Sequence, residues 1–112
     1  MLPVAKSINR PTIIASAEHY SLVTNLPGLA VVKCGATWCK PCVQSAPAYE
    51  LLAAKYPDVR FYTLDIDDVK DFTDATLVNT VPMFFMVKNG SPVGALVGVK
   101  FDVLEHHIQW NK

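Results

Sequence analysis

The sequence has few charged residues and no excess of either sign. Only 18% of its 112 residues are charged, and ten Lys and Arg balance ten Asp and Glu, which gives a formal net charge of zero. A strongly basic surface is the usual electrostatic signature of proteins that bind nucleic acid or anionic membranes. The composition therefore gives no support for nucleic acid or a membrane as a partner.

Long apolar segments are also missing. The longest apolar run, residues 83–87, is far shorter than the roughly 20 residues that a membrane-spanning helix needs. In residues 1–10 no basic segment precedes a long apolar stretch, so we expect neither a signal peptide nor an anchor. With 51% hydrophobic residues and no net charge, the chain lacks the composition of a disordered protein. We expect a folded protein of the cytoplasm.

Cysteine is scarce and unevenly placed. The three cysteines, Cys34, Cys39 and Cys42, lie within nine positions, whereas a secreted disulfide scaffold spreads an even number along its chain. Repeats, low-complexity tracts and Pro-rich linkers are absent as well. Because the length suits one hydrophobic core, we expect a single domain over residues 1–112 and not a disulfide-stapled mini-protein.

The hydrophobic pattern predicts alternating strands and helices. Strands are predicted at residues 12–15, 29–35, 59–66, 83–88 and 93–97. Helices are predicted from an N-cap at Ser16 to Asn25, and at residues 43–56, 69–77 and 101–110. Pro47 predicts a kink in the second helix, because proline removes a backbone donor. The buried stripe of that helix is expected at Val43, Ala46, Tyr49, Leu52 and Ala53.

The order of these elements indicates the topology of the sheet. Helices that connect the early strands predict parallel pairing between them. Asn89-Gly90 between the last two strands predicts a hairpin, because both residues tolerate positive φ. The chain is therefore expected to form an α/β fold with a mixed sheet between helices.

Cys39 and Cys42 form a Cys-x-x-Cys motif between a predicted strand and a predicted helix. Free backbone donors and the helix dipole favour a thiolate at Cys39, which is the nucleophilic form. Cys42, one turn inside the helix, is expected to be more buried and to react second, by attacking the mixed disulfide. Lys40 adds a charge that favours the thiolate, and Pro41 fixes the backbone, so both are expected to tune the redox equilibrium.

A single Cys-x-x-Cys is also compatible with half of a metal site. A structural zinc site needs about four ligands, and here only Cys34 and the distant His106 and His107 could join the pair. The spacing also matches part of an iron–sulfur motif, whose fourth cysteine is absent. We therefore expect no metal and no bound cofactor. His106 and His107 are expected on the outer face of the last helix.

Several segments of the chain together resemble the thioredoxin family. Residues 36–42 resemble its active-site segment, with Lys40 where a glycine is usual, and the remaining matches are Pro47, Asp65-Ile66-Asp67-Asp68, Val81-Pro82, Asn89-Gly90 and Gly98. The resemblance covers nearly the whole chain and is to the cytosolic, eukaryotic-like form. It implies the thioredoxin fold, a central mixed five-stranded sheet flanked by four helices. It also implies a protein-disulfide reductase with disulfide-containing client proteins and a thioredoxin reductase or equivalent reductant.

The resemblance further implies a groove beside the two cysteines. Pro82 would be cis and lie against them, where it would also tune the redox pair, and Trp38, Val81, Pro82 and Gly98 would bind an extended client segment. From the residues alone, a trans proline at the start of a strand is the favoured interpretation of Pro82, and Trp38 could be a packing residue. Acidic Asp65, Asp67 and Asp68 are expected to cap the strand and the next helix, and not to bind a cation.

Lys33 departs from the family pattern. It stands where the family places a buried Asp behind the second cysteine, and Thr63 replaces the lysine that usually accompanies that Asp. In one interpretation the long stem of Lys33 carries its ammonium to water. In the other, Lys33 stays behind Cys42, pairs with Asp65, and tunes the redox chemistry as a cation or as a proton acceptor. Cys34 is expected to be a buried small residue.

Two functions follow from these expectations. The first is a monomeric cytoplasmic electron carrier that reduces protein disulfides through Cys39 and Cys42. The second is a thioredoxin-fold binding module in which the groove around Trp38 and Pro82 holds a partner and redox activity is secondary. The intact pair of cysteines favours the reductase.

Overall fold

A mixed sheet forms the centre of the computed structural model, which describes residues 8–76 and 78–112. Its five strands lie in the order β1-β3-β2-β4-β5. In chain order the elements are β1 Thr12–Ile13, α1 Ala17–Thr24, β2 Leu29–Gly35, α2 Lys40–Lys55, β3 Arg60–Asp65, α3 Lys70–Thr76, β4 Met83–Lys88, β5 Ser91–Val97 and α4 Phe101–Asn111. The predicted α/β fold, a mixed five-stranded sheet with four helices, is confirmed.

The pairing of the strands follows the connections between them. β3 pairs in parallel with both β1 and β2, whereas β4 is antiparallel to β2 and to β5. The β4–β5 turn has positive φ at Asn89 (52°) and Gly90 (82°), as the predicted hairpin requires. Since β2 lies between β3 and β4, residues 36–42, which follow it and contain Cys39 and Cys42, emerge from the middle of the sheet.

Most differences from the predicted elements lie at their ends. α2 begins at Lys40, before the predicted residue 43, because the Cys39 side chain caps it. β5 begins at Ser91, before the predicted residue 93, because Ser91 pairs directly with Lys88. The strand predicted at residues 12–15 stops at Ile13, although the Ile14 N–H still donates to the Thr63 carbonyl at 2.8 Å. The predicted end of the third helix, Leu77, lies outside the described residues.

The first turns of α2 bury a different face from the one predicted. Val43 and Ala46 are exposed, and Cys42 and Ser45 are buried in their place, together with the expected Tyr49, Leu52 and Ala53. The apolar pattern was misleading because Ser45 is polar, yet its hydroxyl donates to the Cys42 carbonyl at 3.1 Å and is satisfied inside the helix. The correction brings Cys42 onto the inner face of α2.

Each face of the sheet carries its own apolar cluster. Ala30, Val32 and Cys34 of β2 belong to the cluster beneath α1 and α3, whereas Leu29 and Val31 belong to the one beneath α2 and α4. Because side chains alternate along a strand, Lys33 falls on the α2 side. Within the described residues, no helix is long and apolar enough to cross a membrane.

Candidate active site

Cys39 and Cys42 lie at the N-terminus of α2. Their side chains form a disulfide, and their Cα atoms are 5.2 Å apart. Cys39 is the N-cap of the helix, and its Sγ accepts a hydrogen bond from the Cys42 backbone N–H at 3.3 Å. The sulfur therefore faces the unpaired donors and the positive end of the helix dipole. After reduction, the same position stabilises a Cys39 thiolate.

The two cysteines are equally buried, contrary to the expectation for Cys42. Cys39 is 5% exposed and Cys42 is 6% exposed. Both belong to the same apolar cluster, together with Ala36, and their sulfurs are bonded to each other. Burial therefore does not distinguish Cys39 from Cys42.

Gly35 packs against the disulfide, although its sequence position alone does not predict this contact. A Cβ at residue 35 would lie 3.3 Å from the Cys42 Cβ and 3.4 Å from its Sγ. The absence of a side chain thus allows the first turn of α2 to pack against the end of β2. A glycine at the end of a buried strand is the available sequence signal for such a close approach.

The Val81–Pro82 peptide bond is cis, so a trans proline at this position is wrong. Met83, the next residue, pairs with Cys34 of β2, which places Pro82 beside the strand end that leads into the active-site segment. The Pro82 carbonyl accepts a hydrogen bond from Gly98 N–H at 2.9 Å, and Gly98 has a positive φ of 90°. Val81 has no main-chain hydrogen bond with any described residue. The structure thus brings Val81, Pro82 and Gly98 together.

Trp38 directly precedes Cys39 in the chain. Its ring is 65% exposed, which is too open for a packing residue. The indole Nε1–H donates to Asp67 Oδ2 at 2.8 Å, and the Asp67 N–H in turn donates to Asp65 Oδ1 at 2.8 Å. The acidic group thus orients the indole and closes the turn after β3.

Lys40 and Pro41 occupy the first turn of α2, and both are exposed. The backbone N–H at this position has no carbonyl partner within the helix, so a proline here removes no hydrogen bond of the helix. Lys40 therefore presents its charge to solvent beside Cys39, where salt screens it.

Lys33 is buried behind Cys42, with 5% of its surface exposed. Its Nζ donates to the Cys42 carbonyl at 2.9 Å and lies 5.5 Å from the centroid of the Tyr49 ring. The interpretation in which the ammonium reaches water is therefore wrong. The expected pairing with Asp65 is also wrong, because no ion pair joins Lys33 to any carboxylate among residues 8–76 and 78–112. Burial lowers the pKa of Lys33.

A cavity of about 320 Å³ adjoins Lys33 and Cys42. Thr63, Asp65 and Asp68 also line it. Asp68 is exposed and Asp65 is half-buried, so the cavity leads from the back of the disulfide towards solvent. Sequence reasoning could not find this space, because β2, β3 and α2 enclose it together.

Cys34 is fully buried and has a free thiol, as expected. Burial raises its pKa to about 12, so the thiol is protonated at neutral pH. On α4, His106 is exposed and His107 is half-buried. In the part of the chain that the structure describes, no group of three or more His, Cys, Asp or Glu side chains is placed to hold a metal ion.

The chain matches a known protein family over most of its length. The family described as Thioredoxin matches residues 11–109. A thioredoxin H-type of Fagopyrum esculentum is 39% identical over 81% of this chain and 78% of its own. Thioredoxin H4-2 of Oryza sativa subsp. japonica is 37% identical over 72% of this chain, and the match spans 61% of that longer protein.

A solved structure shares the same architecture. The crystal structure of thioredoxin NaTrxh from Nicotiana alata superposes with a TM-score of 0.86 at 32% sequence identity. The match covers 98% of this chain and 99% of the other. Sequence and structure therefore point to one family.

Proposed function

The chain belongs to the thioredoxin family and is a thiol–disulfide oxidoreductase, and we propose that Cys39 attacks client disulfides while Cys42 resolves the mixed disulfide. The observation that carries this assignment of roles is the position of Cys39 as the N-cap of α2. A thiolate there is stabilised by helix N–H groups that a thiolate further along the helix lacks.

The reaction consists of two exchanges that balance. The Cys39 thiolate attacks one sulfur of the client disulfide, forms a mixed disulfide and releases the other client sulfur as a thiolate. The Cys42 thiol then loses its proton, attacks Cys39 Sγ and releases the second client sulfur. The client gains two electrons, and its two thiolates take up protons from solvent, one of which replaces the proton that Cys42 released. The protein acquires the Cys39–Cys42 disulfide that the structure contains.

The groove beside Cys39 is the proposed site for the client chain. Val81 has free main-chain groups among the described residues, and an extended segment can pair with them as a strand pairs at a sheet edge. Exposed Trp38 supplies an aromatic face on one side, and Gly98 leaves the other side open. In this proposal the client binds to four residues, Trp38, Val81, Pro82 and Gly98. Pro82 also restricts the directions from which a client disulfide can reach the sulfurs of Cys39 and Cys42.

Lys40 and Pro41 act on the redox equilibrium in this proposal. The exposed ammonium of Lys40 lies one residue from Cys39 and stabilises its thiolate, which favours the reduced form. Pro41 supports the same helix start, because its fixed φ is already that of a helix. Both effects adjust the potential without taking part in the exchange.

Membership of the family suggests disulfide-containing substrates and reductase partners. We infer an electron carrier that works as a monomer in the cytoplasm and is reduced again by a thioredoxin reductase or an equivalent reductant. A reducing compartment suits this cycle, because it keeps Cys39 and Cys42 as thiols between turnovers.

Reduction of insulin by dithiothreitol tests the proposed roles. We expect Cys39→Ser to reduce the rate to that of dithiothreitol alone. Cys34→Ala is the matched control, since it removes a thiol from the neighbouring strand, and it is expected to retain the wild-type rate. Equal rates for wild type and Cys39→Ser would contradict the proposal and favour a binding module.

A further inference from the structure

We propose that Lys33 is a positioning residue that holds a positive charge behind Cys42 and stabilises the thiolate form of the reduced cysteine pair. This inference rests on the dithiol chemistry proposed above and concerns the reduction potential of the Cys39–Cys42 pair. It makes the protein a weaker reductant than a variant with an uncharged residue 33, because stabilising the reduced form opposes its oxidation.

The position of the Lys33 amine is determined by two elements of the fold. β2 carries the side chain to the α2 side of the sheet, and the Cys42 carbonyl accepts from Nζ at 2.9 Å. The Tyr49 ring lies 5.5 Å from Nζ on the same helix and presents a face that attracts a cation. Because the Lys33 Nζ is hydrogen-bonded to the Cys42 carbonyl, and because Lys33 and Cys42 line the same cavity, the charge is held beside Cys42.

Among residues 8–76 and 78–112, no carboxylate forms an ion pair with Lys33 in the disulfide form. The groups that face Lys33 or share its cavity are Cys42 and Tyr49 of α2, Thr63 and Asp65 of β3, and Asp68 after β3. Neither aspartate forms an ion pair with Lys33 within the described residues. Burial raises the pKa of Tyr49 well above its ordinary value, so its phenol is neutral. A buried ammonium without a counter-ion is unfavourable.

Reduction supplies the missing anion. Reduction of the disulfide allows a thiolate to form at the start of α2, within the cysteine pair whose Cys42 carbonyl is hydrogen-bonded to Lys33. The opposite charges attract more strongly than charges on the surface do, because Lys33, Cys39 and Cys42 are each only 5–6% exposed. In the disulfide form, burial lowers the pKa of Lys33. In the dithiol form, the thiolate raises the pKa of Lys33 and so opposes the effect of burial.

The cavity beside Lys33 provides a route for the proton of Cys42. In the second exchange Cys42 gives its proton to solvent water in the cavity, and its electron pair forms the bond to Cys39 Sγ. The ammonium lowers the energy of the thiolate so formed. Lys33 gains and loses no proton in this step, which distinguishes it from a general base.

Lys33→Met tests the proposal, with Lys40→Met as the control. Both substitutions remove one lysine near the disulfide, but Lys33 is buried and Lys40 is exposed. For Lys33→Met we expect the equilibrium with glutathione to shift about tenfold towards the disulfide, or about 30 mV for two electrons. The midpoint of thiolate formation, followed by ultraviolet absorbance, should rise by about one pH unit. Added salt should leave these effects largely intact and should abolish those of Lys40→Met.

A measurement on the unaltered protein covers the case in which Lys33→Met does not fold. Nitrogen-15 NMR of the lysine Nζ groups reports the titration of Lys33 in the disulfide and dithiol forms. We expect the pKa of Lys33 to be higher in the dithiol form, as the new thiolate requires. An unchanged Lys33 titration would overturn the proposal.

The outcomes separate this inference from the proposed function. If Lys33→Met changes only the free energy of unfolding and leaves potential and thiolate midpoint at wild-type values, Lys33 is structural and the proposal is wrong. The assignment of Cys39 and Cys42 would then still stand on insulin reduction. If insulin reduction does not depend on Cys39, the proposed function itself fails, whatever Lys33 does.

Discussion

Two short segments, separated in the chain by residues 36–37, differ sharply in their surroundings. The strand segment, Lys33 to Gly35, ends β2 and is closed in by helices on both faces of the sheet. The turn segment, Trp38 to Lys40, begins α2 and exposes Trp38 and Lys40 to solvent. Each segment contains one buried cysteine, Cys34 or Cys39, so burial alone does not determine thiol reactivity. What differs is the helix N-terminus, which faces Cys39 only.

The largest expected contrast between the segments is in thiol alkylation. Because burial raises the pKa of Cys34 to about 12, its thiolate fraction at pH 7 is on the order of one in a hundred thousand. Iodoacetamide should therefore modify Cys39 in the reduced protein and leave Cys34 unmodified, as peptide mass spectrometry would show. Reaction at Cys34 is expected only as the pH approaches that pKa or when the protein unfolds. Equal labelling at neutral pH would remove the distinction.

Gly35→Ala probes the close packing of the strand segment. The new Cβ would approach the Cys42 Cβ at 3.3 Å, so the Cys42 side chain must give way by a few tenths of an ångström. We expect the free energy of unfolding to fall by about 1–2 kcal/mol, measured by urea denaturation of the oxidised protein. Val43→Ala, at an exposed position of α2, is the control and should change it by less than about 0.5 kcal/mol. A neutral Gly35→Ala would mean that α2 has room to move.

Lys33→Met should stabilise the disulfide form at neutral pH. Burial lowers the pKa of Lys33 in the folded state, so the unfolded chain binds more protons and stability increases as the pH rises towards 10.5. Removing the amine removes this penalty, with a gain on the order of 1 kcal/mol at pH 7 that fades at high pH. Urea denaturation across pH measures it, with Lys40→Met as reference. A stability loss at pH 7 would show that the Cys42 carbonyl and Tyr49 compensate the ammonium fully.

Trp38→Ala addresses the turn segment and has the smallest expected effect. Since the ring is 65% exposed, its removal should hardly change stability. Loss of the indole face should weaken client binding by about 1 kcal/mol, which corresponds to a roughly fivefold rise in the KM for a client protein disulfide. Asp67→Asn, which alters only the acceptor of the indole N–H, should give a smaller rise. An unchanged KM for Trp38→Ala would exclude the ring from the client groove.

The order of the elements could be predicted from the sequence because local signals agree with the fold. Period-two and helical patterns, the Ser16 N-cap and the Asn89-Gly90 turn all appear in the structure. The face of α2 was harder to predict, because Ser45 is buried with its hydroxyl satisfied inside the helix. Such a local hydrogen bond removes the usual link between polarity and exposure.

The surroundings of the disulfide were only partly predictable. The helix N-terminus at Cys39 follows from sequence, because Cys-x-x-Cys lies between a strand and a helix. The position of Lys33 does not, since a lysine has a long flexible stem that can lead to water or to a buried acceptor. The Cys42 carbonyl, the Tyr49 ring and the cavity come together only in three dimensions.

Trapping of a mixed disulfide tests most directly the claim that the turn segment supplies the nucleophile. Cys42→Ser keeps Cys39 at the helix N-terminus but removes the group that resolves the intermediate. After incubation with insulin, we predict a stable adduct whose disulfide maps by mass spectrometry to Cys39. An adduct at Cys34, or no adduct while Cys39 is reduced and accessible, would contradict the account.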